Sequence, residues 1–196
     1  MELYDKLIKV YSTDNFSVSH IRTVIEEDAK DAVTREFTIA HIGIEILKIS
    51  KNLLVLERDS IADNPHKLVC DGVIAIDKKN KFIGYFELKS ACSINNVLYA
   101  TSQISDSQHH LWSIATKSNI DMLSYTEKGF IITQPISDET YRKARLRRQK
   151  FIDYGFTVSR YHFFLNLLKG KAILDTTGMP LLHFNADDVT PITKML

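Results

Sequence analysis

Cysteine is nearly absent from this 196-residue chain. The two present, Cys70 and Cys92, form neither a CxxC pair nor a framework. That excludes a disulfide-stapled scaffold and gives no thiolate zinc site. Both sit among apolar residues, so the expectation is reduced core thiols in a cytoplasmic protein. Glycine (7) and proline (4) are scarce as well, which leaves little material for a linker. No apolar run approaches the roughly 18 residues of a spanning helix, so no membrane association is expected. The opening Met1-Glu2-Leu3-Tyr4-Asp5-Lys6 lacks a basic stretch followed by an apolar one and does not read as a signal peptide. There is no internal repeat and no low-complexity segment.

What the chain does have is ordinary for a globular protein: 44% hydrophobic and 25% charged residues. The length suits a single domain. The net charge of +1 conceals an asymmetry. Residues 141–150 read YRKARLRRQK, with Arg142, Lys143, Arg145, Arg147, Arg148 and Lys150 and no acid. Outside this segment acids outnumber bases. A concentrated basic patch on an acidic body points to phosphate contacts and hence to a nucleic-acid partner.

The first fifty residues read as three helices: Met1–Tyr11, Ser19 to about Ala29, and about Asp31 to Ser50 with Phe37, Ala40, Ile44 and Leu47 on one stripe. Leu53–Leu56 reads as a short β-type run and residues 57–67 as a loop. Leu68–Ile76 and Phe82–Ser90 are β-rich runs joined by the polar turn Asp77-Lys78-Lys79-Asn80-Lys81, which predicts a hairpin. Ser93–Thr101 reads as a loop, about Gln103 to Lys117 as a helix and Gly129–Gln134 as a strand. Asp138–Asp153 is predicted to be a polar helix, Tyr161–Leu168 a buried helix, and Leu181–Phe184 a strand. The order implies a mixed α/β domain with a sheet flanked by helices.

The hairpin carries the chemistry. With its turn centred on Asn80, Asp71 is expected opposite a residue near Leu88. Glu87 and Lys89 alternate onto one face. Asp71 joins them by register or by a bend at Gly72, where no side chain obstructs. Three charged groups inside apolar strands are costly unless they satisfy one another. Two hard carboxylates suit Mg2+, and the Leu88 carbonyl between Glu87 and Lys89 is a further candidate ligand. A lysine beside the metal can orient water or stabilise charge at phosphorus.

The segment CDG(VIAIDKKNKFIGYF)ELKS resembles the core of the PD-(D/E)XK nuclease superfamily, with cysteine where that pattern often has proline. The resemblance spans roughly residues 35–134. It implies a restriction-endonuclease-like core; residues 1–30, read as a helical N-terminal elaboration, and 138–196, read as a basic helical C-terminal one, lie outside it. It assigns metal ligation to Asp71 and Glu87 and the catalytic lysine to Lys89, with Mg2+ as cofactor and Mn2+ as a substitute. It also implies an auxiliary metal-facing glutamate on the third helix, Glu36 at its start with Glu45 as the alternative, an auxiliary His41 on the same helix, and Gln108 facing the site from the helix after the hairpin. The stretch FELKS…QISDSQHHL is further similar to RecU-type Holliday-junction resolvases. The resulting expectation is a metal-dependent DNA endonuclease, homodimeric, on double-stranded or branched DNA. A small restriction-type enzyme comes first, a junction resolvase second, and a cap-snatching-like RNA endonuclease third. A non-catalytic nucleic-acid-binding module is the alternative of another class.

Overall fold

The computed structural model describes residues 2–25, 36–40, 44–78, 80–135, 138–146 and 158–186. Its elements are α1 (Glu2–Leu7), β1 (Phe16–Ser19), β2 (Ile21–Ile25), β3 (Glu36–Ala40), β4 (Ile46–Ile49), α2 (Lys51–Ser60), β5 (Gly72–Ile76) and β6 (Phe82–Lys89). They continue as α3 (Ile94–Lys117), β7 (Thr126–Thr133), α4 (Asp138–Leu146), α5 (Val158–Leu168), β8 (Ile173–Leu174) and β9 (Pro180–Asn185). The fold is mixed α/β, as the sequence implies.

Seven strands form one sheet in the order β1-β4-β5-β6-β7-β9-β8, and β2 and β3 form a separate two-stranded ribbon. From β1 to β6 neighbours are antiparallel; β6, β7 and β9 run parallel. A parallel step needs a crossover, and the long helix α3 supplies it between β6 and β7. All of β5 and all of β6 except Lys89 are buried, which fits near-continuous apolar strands covered on both faces.

Side-chain alternation splits the core in two. Val73, Ala75, Ile83, Tyr85 and Ile131 pack with Leu53 and Leu54 of α2 and Val97, Ala100 and Ile104 of α3. Ile74, Ile76, Phe82, Phe86, Phe130 and Ile132 pack on the other face with Phe37 of β3. Phe86 and Phe130 stack there at 4.7 Å between ring centroids. Gly84 leaves room for these rings, since a Cβ on it would lie 2.7 Å from Phe86 and 3.1 Å from Phe130. Gly129 does the same on the α3 face, where a Cβ would meet Leu181 at 2.4 Å and Ile104 at 2.8 Å.

Several expectations are overturned. Helix α1 forms but ends at Leu7, and where the second and third helices were predicted there are strands β2, β3 and β4. Ile42, Ile44 and Ile46 recur every second residue, and the β-branched density of this segment favours strands over a helical stripe that was already too broad. Conversely, Leu53–Leu56 lies inside α2. A four-residue apolar run has no readable period, and the start signal is Ser50, whose Oγ accepts the Leu53 N–H at 3.2 Å. The expected loop at 93–101 is mostly the opening of α3, capped by Ser93 Oγ accepting the Asn96 N–H at 3.2 Å. The core order is therefore β4-α2-β5-β6-α3-β7, and β4, β5, β6 and β7 lie side by side in the sheet. The predicted hairpin, the strand through Gly129, α4, α5 and β9 are all present, while residues 147–153 of the polar helix lie outside the described residues.

Candidate active site

The hairpin register pairs Gly72 with Phe86, so Asp71, just before β5, continues the register opposite Glu87, one residue from the position expected. Asp71, Glu87 and Lys89 share the parity of Val73 and Tyr85 and so lie on the α3 face of the sheet. The Asp71 N–H donates to Glu87 Oε2 at 3.1 Å, and the Leu88 N–H donates to Asp71 Oδ2 at 2.8 Å. Lys89 Nζ bonds closely to Glu87 Oε1. Lys51, the first residue of α2, places its Nζ 3.2 Å from Asp71 Oδ1. All four carboxylate oxygens thus accept hydrogen bonds.

Glu87 is fully buried and Asp71 is 4% exposed. Two acids in such a place need compensation, and two ammonium groups provide it in number. Lys51 stands at a helix N-terminus, where a cation opposes the helix dipole, so its ion pair with Asp71 offsets an otherwise unfavourable position. The tetrad is charge-balanced, yet both lysine side chains keep some exposure, 15% for Lys51 and 16% for Lys89. They mark the open side of the site.

The donor set fits a hard cation. Asp71 and Glu87 offer carboxylate oxygens. In a strand, the N–H and C=O of one residue point to the same side. The Leu88 N–H points to Asp71, so its carbonyl faces that side too, beyond the last rung of β5. Among the described residues no group of three or more His, Cys, Asp or Glu could hold a metal. Two carboxylates and a carbonyl would instead suit Mg2+, which keeps several waters. The Lys51 and Lys89 ammonium groups sit on the very oxygens such an ion would approach.

The surroundings are chemically quiet. Cys70 is fully buried, and its N–H donates to Ser107 Oγ at 2.7 Å. Burial pushes its thiol up to about 12, reinforced by the Glu87 and Asp71 charges against the Ser107 hydrogen bond, so it is a core residue and not a nucleophile. Lys89 lies 5.2 Å from the Tyr99 ring centroid on its open side. On β7 its register partner is Thr133, whose Oγ1 is 2.9 Å from His183 Nε2. Burial lowers the His183 pKa from its ordinary 6.5 to about 4, so the ring is neutral at pH 7. The unfolded chain binds a proton there below about pH 6.5 that the folded chain refuses until about pH 4. Stability is therefore expected to fall as pH drops through that window, by at most about 3 kcal/mol from this group. Urea denaturation of the wild type and His183→Gln across the window tests this; parallel curves would remove the histidine from the acid response.

Asp71, Glu87, Lys89 and Leu88 come together as the sequence predicted. Gln108 does not join them. It is buried on α3, but its Nε2 donates to Glu127 Oε2 at 2.9 Å and its Oε1 accepts from Thr177 Oγ1 at 2.8 Å. Glu127 pairs with Ile83, four residues before Glu87 and so about 13 Å along the strand. The glutamine near the site is Gln103, whose Nε2 donates to the Val69 carbonyl at 3.1 Å and whose buried Oε1 has no hydrogen-bond partner among the described residues. Glu36 begins strand β3 of the small ribbon, paired with Ile25, and does not open a helix. His41 lies outside the described residues, and the helix it was assigned to is replaced by strands on either side.

Of the basic cluster, Arg142 and Arg145 are exposed on α4 and Lys143 lies on the same helix, while Arg147, Arg148 and Lys150 lie outside the described residues. The start of α4 adjoins the sheet end that carries the site: Asp138 and Tyr141 share a cavity of about 370 Å³ with His183 and Asn185. Asn185, Thr133 and Lys89 form one row across β9, β7 and β6. A larger cavity of about 720 Å³, lined by His66, Asp106, His109 and Asp175 among others, holds neither acid of the pair. Lys51, Tyr99, Gln103 and His183 escaped the sequence reading.

The chain matches no protein-family model, no curated protein and no solved structure.

Proposed function

We propose that the protein is a metal-dependent nuclease that hydrolyses phosphodiester bonds in nucleic acid, most simply a DNA endonuclease of the small restriction type. One observation carries this: two buried carboxylates, Asp71 and Glu87, are held on one sheet face with Lys89 and the Leu88 backbone. Asp71, Glu87 and the Leu88 carbonyl would hold Mg2+, or Mn2+ in its place. When bound, the ion supplies Lewis acidity to the phosphoryl oxygen and makes a nearby water more acidic.

The remaining work falls to the chain. Lys89, anchored on Glu87, presents an ammonium to the reacting phosphate, where it orients the attacking water and stabilises the charge that develops. The Leu88 N–H fixes the Asp71 carboxylate in one orientation. Exposed Arg142 and Arg145 on α4, at the same sheet end, supply salt-sensitive phosphate affinity. Cutting both strands of a duplex needs two such sites, so the working form is a homodimer. The free thiols of Cys70 and Cys92 suit the cytoplasm, and no helix among the described residues is long and apolar enough to cross a membrane.

The test is a gel assay on supercoiled plasmid, a four-way junction and single-stranded RNA, each with Mg2+, Mn2+ or chelator. Metal-dependent DNA products support the reading, and the preferred substrate separates a restriction-type enzyme from a resolvase or an RNA enzyme. Salt-sensitive binding with no cleavage of any substrate would replace it with a non-catalytic binding module.

A further inference from the structure

A groove of about 340 Å³ runs between α2 and α3 beside the acidic pair, with Lys51, Asn52, Arg58, Lys67, Tyr99 and Gln103 among its lining residues. Two of these also belong to the site. Lys51 bonds Asp71, and Tyr99 lies under Lys89. The groove is therefore continuous with the place where the phosphodiester would react. Three of its side chains are cationic, and among the described residues no carboxylate lines it. Arg58 is held by Asp59 and by the Lys67 carbonyl, which stiffens the far wall, and Lys67 itself is exposed.

Tyr99 is 52% exposed, a large aromatic at the mouth of a cationic groove. The Lys89 ammonium 5.2 Å from its centroid fixes the ring by a cation–π contact. Cations that follow a backbone beside an aromatic platform are the means by which proteins hold unpaired strands. A groove of this volume is at the small end of ligand sites and accommodates about one nucleotide, not a duplex. A base reaches the Tyr99 face only when it has left the helical stack.

We infer that this groove seats one unpaired strand of nucleic acid as it enters the site, with a base on Tyr99 and phosphates on Lys51 and Lys67. The inference rests on the nuclease reading for what happens at Asp71, but binding in the groove does not require cleavage. Within that reading it requires the strand being cut to leave the helical stack locally, whether the substrate is a duplex opened at the cut, a branched duplex or a single strand.

The test is fluorescence anisotropy with a labelled 12-nucleotide DNA strand, the RNA strand of the same sequence, and the DNA duplex, all in chelator. The unpaired strands are expected to bind more tightly than the duplex, and the DNA and RNA arms show which sugar is preferred. Tyr99→Ala is expected to weaken strand binding roughly tenfold and duplex binding little, with Tyr99→Phe close to wild type. Lys67→Ala is expected to weaken all sequences alike and to lower the salt slope by about one. Equal binding of strand and duplex, or strand binding indifferent to Tyr99→Ala, overturns the inference. Cleavage with Mg2+ that ignores Tyr99 and Lys67 overturns the groove and keeps the nuclease. Tyr99-dependent strand binding without cleavage in Mg2+ or Mn2+ keeps the groove and overturns the nuclease.

Discussion

Asp71→Asn is expected to slow metal-dependent cleavage by about a thousandfold or more, because Lewis-acid stabilisation worth several kcal/mol depends on this carboxylate. Asparagine keeps the shape and an oxygen for the Leu88 N–H, which now donates at 2.8 Å. It loses the charge that a cation needs. It also leaves Lys51 facing a neutral amide, and removing one member of a buried pair can cost about 3–5 kcal/mol. Lys51 is not fully buried, so its ammonium regains water and the cost falls below that range. Alanine is the poorer variant. It would strand a buried N–H as well as the ammonium, and so confound lost chemistry with lost stability. Initial rates at saturating Mg2+, with urea denaturation alongside, make the test. A folded variant cutting within tenfold of wild type would take Asp71 out of the chemistry.

The hairpin that carries Asp71, Glu87 and Lys89 was legible in the sequence because its signals are local. Strand, turn and strand lie within twenty residues, and alternation alone puts Glu87 and Lys89 on one face. The mixed α/β class followed from the same local signals. What was illegible depends on distant partners. Lys51 reaches Asp71 across twenty residues, and nothing in KNLL shows it. Gln108 and Gln103 both lie on α3 and both face inward, but five residues set them at different depths along the sheet, one against Glu127 and the other against Val69. Helical periodicity says which side a residue faces, not which end of a neighbouring strand it meets. The misreading of the segment that forms β4 has another cause. An isoleucine-rich run supports a helix stripe and a strand alternation together, and pairing with β1 and β5 decides for the strand.

Lys89→Met separates two roles that the geometry combines. In the proposed reaction the ammonium acts on the phosphate, and in the fold it neutralises Glu87, which is fully buried. Methionine retains the apolar stem and removes the charge. Cleavage is expected to fall by about a hundred- to ten-thousandfold, the usual span for a positioned acid–base group. Stability without metal is expected to fall as well, because a buried carboxylate has lost a cation. The two losses should respond oppositely to Mg2+. With the ammonium gone from Glu87 Oε1, the ion meets less competition, so it should bind the variant more tightly and raise its melting temperature more than that of the wild type. Activity should not return with it. Thermal melts over a Mg2+ titration, read beside cleavage rates at each concentration, give both curves from one preparation. Recovery of stability without recovery of rate would establish Lys89 as a group acting on the substrate. Recovery of both would reduce it to a stand-in for the metal, and no thermal response to Mg2+ in either protein would dismiss Asp71 and Glu87 as ligands.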